Sequence, residues 1–472
     1  MSHYDVIVIG AGPAGLSCGA ALAEMGLDTL VLDEQAHPGG QIYRNVESSS
    51  AAQLAFFGED YAKGREIVQR FRKSKAKYQG GATVWQVESD GQVCYSCDGV
   101  SQQITGNYVV IATGAMERPV PIPGWTLPGV IGAGAANNLA KEGGLSPKGK
   151  VVLCGSGPLL LLEASLLIKK GVQVEAILDT TPLVPSLSAV ANLPRALMRM
   201  DFLLKGVKML FDIHRSKVPY LRGVSDLKMI GEDKVTHVEC THKKETVSFA
   251  TDVALLHFGV IPNTHVMRQV GCTLNWNSEL RYWHPVCDDW GRTNHDKVFV
   301  AGDGSYVSGA VAAGLKGELS ALELAHSLGI LSTKARDEMA QPLKAEIAKD
   351  KHPRPFIDAM YAPRAGQYAF SDDTVVCRCE NVTVGEIREV ISQGAHDPNE
   401  IKIITRAGMG PCQGRMCGSA INEILAEELS STPDEVGYLT IRPPLKGISL
   451  GEIAAMKFTE ASGPADLFKN QK

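Results

Sequence analysis

The sequence predicts an α/β fold: two Rossmann-like dinucleotide-binding domains followed by a small C-terminal domain organised by four cysteines. Three observations predict it. Strand, glycine turn and helix follow one another from Tyr4 and again from Lys150, and two close cysteine pairs, Cys377/Cys379 and Cys412/Cys417, lie near the C-terminus. At 472 residues the chain exceeds what one core organises, and about 150 residues per domain gives roughly three units. Apolar residues at 44%, charged residues at 21% and 48 glycines suit a soluble α/β enzyme rich in tight turns.

The first turn is complete. Residues 4–9 are an apolar strand that runs into Gly10, Gly12, Pro13, Ala14 and Gly15, with an alanine-rich helix over 16–25 behind them. Gly10 allows the tight turn, Gly12 lets backbone approach a pyrophosphate, and Gly15 permits close packing of helix on strand. The helix N-terminus attracts the phosphate charge. A second strand, 29–32, ends in Asp33 and Glu34, where a carboxylate accepts hydrogen bonds from ribose hydroxyls.

Farther along, 109–114 reads as a strand closing in Ala112, Thr113 and Gly114, and 297–303 as one closing in Ala301, Gly302 and Asp303. This combination resembles the two-dinucleotide-binding flavoprotein superfamily that includes glutathione and thioredoxin reductases. Gly39, Gly40 and Gln41 look like its thioredoxin-reductase branch. The resemblance implies FAD in the first fold, with Asp303 on the ribityl chain and a helix from about Ser308 aiming its positive end at the flavin. The expected FAD residues are Gly10, Gly12, Pro13, Ala14, Gly15, Asp33, Glu34, Gly40, Gln41, Arg44, Val84, Thr113, Gly114, Gly302 and Asp303.

The second turn is altered. Gly155 and Gly157 follow the strand at 150–153, but Leu160 stands where the third glycine would be. A helix over 159–170 and a strand over 174–178 lead to Asp179, the position of a ribose-binding acid. Having no adjacent Arg, Asp179 argues against the 2′-phosphate of NADP. Three readings stay open for Gly155, Gly157 and Asp179: a nicotinamide site, an adenine nucleotide bound without hydride transfer, and a retained structural domain with a vestigial site. The expected layout is a split FAD domain (1–117 and 275–330), an NAD(P)-binding-like insert (118–274), a linker (331–370), a cluster domain (371–430) and an extended tail (431–472). Proline-rich or glycine-led crossings at 118–124 and 259–264 join the first two.

Four cysteines in two pairs imply one four-sulfur site. Thiolates suit zinc or iron-sulfur clusters, and the CxC pair is tight for structural zinc, so iron-sulfur is preferred. Gly408, Gly410, Gly414 and Gly418 would free backbone amides for hydrogen bonds to cluster sulfurs. Helices are expected at 384–394 and 419–429. The segment resembles the bacterioferritin-associated-ferredoxin-like 2Fe-2S domain over about 375–430, which implies Cys377, Cys379, Cys412 and Cys417 as ligands.

Other chemistry-bearing residues read as structural. Cys94 and Cys97 have redox-disulfide spacing but lie in a strand, where residues three apart face opposite sides. Cys154 packs in the second turn, and His284 and His295 lie in turn-like sequence with no metal spacing around them. The tail from Ile441 is extended, wrapping on a partner or on the chain's own FAD domain. The net charge of −5 and scattered Lys and Arg leave no footprint for nucleic acid or acidic lipid. No apolar run approaches the roughly 20 residues of a membrane span, and the N-terminus lacks a basic region and cleavage site, so the cytoplasm is expected. Eleven cysteines, an odd count, fit metal ligation in a reducing compartment better than a disulfide framework.

The whole order of segments is similar to the FAD subunit of opine oxidases, the middle subunit of hydrogen cyanide synthase, and the alpha subunits of dye-linked proline and D-hydroxyproline dehydrogenases. Gly39 to Arg44, Glu117 to Trp125 and Leu127 to Val130 carry it most distinctively. The resemblance implies a chain that relays electrons from a glycine/sarcosine-oxidase-like flavoprotein partner to an external acceptor, often beside a small ferredoxin-like chain. Some relatives also hold FMN at the subunit interface. Two competing readings are a free-standing NADH-dependent reductase, which Asp179 supports and Leu160 opposes, and a non-enzymatic module in iron handling.

Overall fold

Parallel strands buried on both faces must read as unbroken apolar runs, and Val6–Ile9 and Val151–Cys154 become the parallel hearts of two sheets, the first of which adds an antiparallel flank. The computed structural model describes residues 2–363 and 370–456. Its first unit contains β1 (Ser2–Ile9), α1 (Pro13–Glu24), β2 (Thr29–Leu32), α2 (Ala51–Phe57), α3 (Glu59–Lys73), β3 (Lys77–Gln79), β4 (Thr83–Val87), β5 (Gln92–Cys97) and β6 (Val100–Ile111). The sheet order is β3-β2-β1-β6-β5-β4. Strand β6 is long enough to have two partners on one side: its first half pairs β5, and Val109–Ile111 pair a strand contributed from much later in the chain.

The chain leaves this unit through β7 (Ala115–Glu117) and builds β8 (Val130–Gly132), α4 (Ala133–Gly143), β9 (Val151–Ser156), α5 (Pro158–Lys169), β10 (Val174–Asp179), α6 (Leu187–Leu197), α7 (Met200–Arg215) and β11 (Tyr220–Arg222). An antiparallel sheet of β12 (Ser225–Gly231), β13 (Val235–His242) and β14 (Glu245–Ala250) follows, then β15 (Val253–Phe258). The second parallel sheet runs β11-β10-β9-β15-β8. Return is through β16 (Val260–Pro262), which pairs antiparallel with β7, so both crossings form one two-stranded neck.

Next come α8 (His265–Val270), the hairpin β17 (Leu274–Asn277) and β18 (Tyr282–Pro285), β19 (Val298–Val300) and α9 (Ala310–Ser327). Strand β19 is the late partner of β6 and completes the first sheet. Helix α9 crosses α1 at backbone distance: a Cβ on Gly317 would stand 2.1 Å from the Ala14 carbonyl oxygen.

Where the sequence reads a linker over 331–370, the structure has α10 (Thr333–Asp350) and α11 (Arg354–Met360). Ser332 caps α10, and Ala340 and Ile347 bury against Leu319 and Leu322 of α9. Two packed helices therefore stand where the sequence reads a linker, with 364–369 outside the described residues. The C-terminal unit contains β20 (Val375–Cys377), β21 (Val382–Thr383), α12 (Val384–Ser392), α13 (Pro398–Thr405) and α14 (Gly418–Glu428). A single apolar cluster runs from Ile7 and Val109 through Val152 and Ala254 to Ile387 and Ile421, joining all three units.

The extended tail folds onto its own first unit. The Leu445 amide donates to the Trp85 carbonyl at 2.8 Å, Lys446 pairs with Glu34, and Met456 after α15 (Leu450–Ala454) packs on Trp85 and Cys94. Residues 457–472 of the predicted tail lie outside the described residues. Among the described residues no helix is long and apolar enough to cross a membrane.

Candidate functional site

Three loops of the first unit converge at one end of its sheet. Gly10 has φ +106°, and a Cβ there would stand 2.5 Å from the Ala112 carbonyl oxygen, so only glycine lets the two loops meet. Gly302 has φ +73°, and its Cβ would be 2.6 Å from Ala14 Cβ. Gly304, two residues on, lies against Met267 and Gly114. Around Gly12, by contrast, a Cβ would meet only Gly40 Cα at 3.9 Å, which leaves room beside it. Helix α1 starts at Gly12 with Pro13 in its first turn and no side-chain cap, and α9 starts at Gly309 uncapped in the same way. Two helix N-termini thus offer unclaimed N–H groups and positive potential to an electron-rich ligand.

The predicted acids fall into different places. The Ala11 amide donates to Asp33 Oδ2 at 2.6 Å and the Gln35 amide to Oδ1 at 2.7 Å, so Asp33 closes on the glycine turn. Burial raises its carboxyl above the ordinary range, against those two N–H donors. Glu34 is turned away by its pair with Lys446. Asp303 Oδ1 accepts from the Ser308 and Gly309 amides at 2.8 and 3.1 Å, which fixes it at the start of α9. Thr113 donates to the Asn263 carbonyl, and the Asn263 amide donates to Gly114 O, so the Ala-Thr-Gly loop is tied to the returning chain. Val84 lies on β4, two residues from Ala82, whose amide donates to Asp33 O. Gln41 and Arg44 point toward the second unit: Arg44 bonds Gln35, Gln41 and Glu142 of α4, and Gln41 accepts from Asn138.

In the second unit Gly155 is indispensable, since a Cβ would be 1.7 Å from His257 O. Gly157, at φ +110°, starts α5 without a side-chain cap. Leu160 is fully buried, among Ala133 and Ala136 of α4 and Leu153, so the missing glycine is answered by small residues on the neighbouring helix. Asp179 is engaged within the protein: Oδ1 accepts from the Thr181 amide at 2.8 Å, Oδ2 from the Tyr220 hydroxyl at 2.6 Å, and Arg222 Nε stands 4.0 Å away. The sequence offers Asp179 no adjacent Arg, but sheet pairing of Asp179 with Arg222 supplies one.

The four C-terminal thiols stand as two pairs, Cys377 with Cys417 and Cys379 with Cys412. The first pair is buried, while Cys379 is exposed and Cys412 half-buried. The Cys417 thiol and the amides of Gly408, Glu380 and Cys379 favour a Cys377 thiolate, holding it at about 5 against the cost of burial. Cys417 moves upward in consequence, as the partner that keeps the proton. Gly410 makes room for Cys379, because a Cβ there would lie 2.1 Å from Cys379 Cβ. Among the described residues no three Cys, His, Asp or Glu side chains surround one point, so the fit rests on donor chemistry. Four thiols with amides aimed at sulfur suit an iron-sulfur cluster. Cys94 and Cys97 lie in β5 among buried neighbours, and burial raises both thiols, the opposite of a reactive pair.

The thiol-bearing loop lies directly on the first unit. His265, which follows the neck, shares a hydrogen bond between Nε2 and the Gln413 carbonyl at 3.0 Å, one residue from Cys412. Burial, with Arg415 and Arg268 adding repulsion, lowers His265 to about 3, so the imidazole is neutral and Nε2–H is the donor. Arg268 stacks 3.8 Å from the Tyr438 ring centroid, Trp125 donates from Nε1 to Val375 O at 2.6 Å, and Arg281 forms a two-point pair with Glu423. Sequence reading missed His265, Arg268, Arg415 and the Lys316 ammonium, which hydrogen-bonds around Ser305, Tyr306 and Ser308 beside Asp303. None of them belongs to a local motif; only the Pro262-Asn263-Thr264-His265 stretch at the returning crossing hints at a role.

Residues 4–326 match the family model for pyridine nucleotide-disulphide oxidoreductases, and residues 375–427 match the BFD-like [2Fe-2S] binding domain. The A subunit of opine oxidase from Agrobacterium tumefaciens (strain Ach5) is 40% identical, covering 97% of this chain and 92% of that one. The HcnB subunit of hydrogen cyanide synthase from Pseudomonas aeruginosa is 28% identical over 94% of this chain and 96% of its own. Among solved structures, L-proline dehydrogenase from P. horikoshii superposes with a TM-score of 0.70 at 20% identity, over 96% of this chain and 79% of that one. Thioredoxin reductase from T. acidophilum gives 0.51 at 19% identity, over 70% and 99%.

Proposed function

Because the chain belongs to the pyridine nucleotide-disulphide oxidoreductase family, alongside the opine oxidase A subunits, and carries a BFD-like 2Fe-2S domain, we propose that it relays electrons within an amine or imino-acid dehydrogenase complex. Electrons would pass from a glycine/sarcosine-oxidase-like partner's flavin, through FAD and the cluster here, to an external acceptor. The chain is an FAD-dependent oxidoreductase, and relatives named as subunits place it in a heteromeric complex. The substrate class is of the opine, D-hydroxyproline or glycine type.

One observation carries this reading: Asn263 bonds the Ala-Thr-Gly loop, and His265, two residues on, bonds the four-thiol loop at the Gln413 carbonyl. When bound, the flavin supplies two-electron chemistry and the cluster one-electron steps. The remaining work falls to the chain's own residues. The open N-terminus of α1 and Gly12 receive a pyrophosphate, Asp33 accepts from ribose hydroxyls, and Asp303, with the N-terminus of α9, meets the flavin side. Cys377, Cys379, Cys412 and Cys417 hold the cluster, with the Cys379/Cys412 edge nearest solvent as the exit. Neutral His265 holds the Gln413 carbonyl through its Nε2–H and relays no proton. Leu160, in place of the third glycine of the turn, supports an adenine nucleotide without hydride transfer, or no nucleotide, in the second unit.

The purified chain should contain flavin together with iron and acid-labile sulfide. Alone it should not pass electrons from amines or imino acids to a dye, and adding the flavoprotein partner should restore turnover. Anaerobic NADH should leave the flavin absorbance unbleached. Substrate turnover by the single chain, or rapid bleaching by NADH, would support the free-standing reductase instead.

A further inference from the structure

We propose that α6 and α7 form a docking face for an anionic lipid bilayer surface, a property independent of the cofactor reading above. Between Leu183 and Phe211 every large apolar side chain except Leu203 and Met209 is exposed. On α7 these residues follow helical spacing: Leu204, Val207 and Phe211 form one ridge, with exposures of 57%, 61% and 60%. Leu187, Val190 and Leu197 form the matching ridge on α6, Leu187 being 90% exposed.

Neither ridge is a misplaced core. Ala189 and Ala196 of α6 and Ile213 of α7 are the buried residues of these helices, and α6 rests on α11 and α7 on α5. Inner faces hold the helices to the protein and leave the apolar outer faces free.

Charge decides the occupant. Residues 183–217 hold six basic and two acidic residues, and with Asp60 and Asp350, which pair with Lys205 and Arg199, the face keeps a net +2 in a chain of net −5. Lys205 pairs with Asp60, and Arg199 with Asp201 and Asp350. Arg195, Lys208, Arg215 and Lys217 have no ion pair among the described residues. At 100° per residue, Lys208 and Arg215 sit just beside the α7 ridge. Met and Phe also suit a protein partner's contact core, but such a core is depleted in Lys, and Lys205, Lys208 and Lys217 flank these ridges. These ridges hold aliphatic, Met and Phe side chains without hydrogen-bonding groups and are flanked by free cations, the composition of a helix lying in a lipid headgroup region. The net charge and the scatter of Lys and Arg along the chain, on which the sequence reading excluded acidic lipid, both average this local excess away.

The test is co-sedimentation of the purified chain with vesicles of phosphatidylcholine alone and of phosphatidylcholine mixed with phosphatidylglycerol. Binding to the anionic vesicles, released by salt, is expected. The V207E/F211E variant should bind at least about tenfold more weakly, and K208E/R215E should lose about as much on anionic vesicles only. Flavin and iron contents should be unchanged in both. Absent binding to phosphatidylglycerol vesicles, or unaltered binding by both variants, overturns the proposal. So does release of a native partner protein by V207E/F211E without any vesicle binding, which would make the face a protein interface.

Discussion

Glu163 on α5 is 2% exposed, and the Asn137 side chain donates to it at 2.8 Å. Burial raises its carboxyl to about 7, so the folded protein keeps a proton that the unfolded chain releases from about pH 4.3 upward. Folded-state stability should therefore fall as pH rises from about 4.3 to 7 and level off above, with a contribution of about 3 kcal/mol. Denaturant melts of the wild type and Glu163→Gln at several pH values check it: wild-type stability minus that of the variant should fall by that amount as pH rises across the window. A constant difference would show that Glu163 does not hold the proton. Glu163 follows no motif and was not legible in the sequence, whereas Gly10, Gly12 and Gly155 were, because a glycine turn is local geometry. The partners of Asp179 were hidden for the opposite reason: Tyr220 and Arg222 lie about forty residues on and arrive only through strand pairing.

Strands and glycine turns were readable as elements, since their apolar runs are continuous and buried on both faces. Helix α10 was not: its composition is polar and Pro342 lies inside it, so its helical character depends on the Ser332 cap and on Ala340 and Ile347 reaching α9. The tail carried a similar ambiguity, with no pattern to say which surface it would cover. Leu445 is 1% exposed and joins the central apolar cluster. Leu445→Ala should cost about 2–5 kcal/mol in a urea titration. A loss under about 0.5 kcal/mol would mean that the strap is not held in solution.

The three units share one apolar interior, and their relative placement depends on a few contacts between distant parts of the chain. Arg281 and Glu423 make the most direct of these, with Glu423 buried and Arg281 partly exposed. Glu423→Ala should destabilise by about 2 kcal/mol, less than the roughly 3–5 kcal/mol of a fully buried pair. It should also separate loss of cluster colour from release of flavin fluorescence on heating; coincident transitions in the variant would show that the pair does not couple the units. Domain order could be read from the sequence, but the seating of the C-terminal unit on the first could not, because His265, Arg268, Arg281 and Arg415 bond across stretches of chain that no local pattern spans.

Trp85 and Cys94 are made early, yet the residues packed on them, Ile448 and Met456, and the Leu445 amide that bonds the Trp85 carbonyl, follow only after more than three hundred further residues. A ribosome delivers the chain in the reverse of the order in which that surface closes. The earliest-made sheet therefore waits with an uncovered aromatic flank until the segment around Leu445 to Met456 has been made, and anything that halts translation before it leaves that flank sticky.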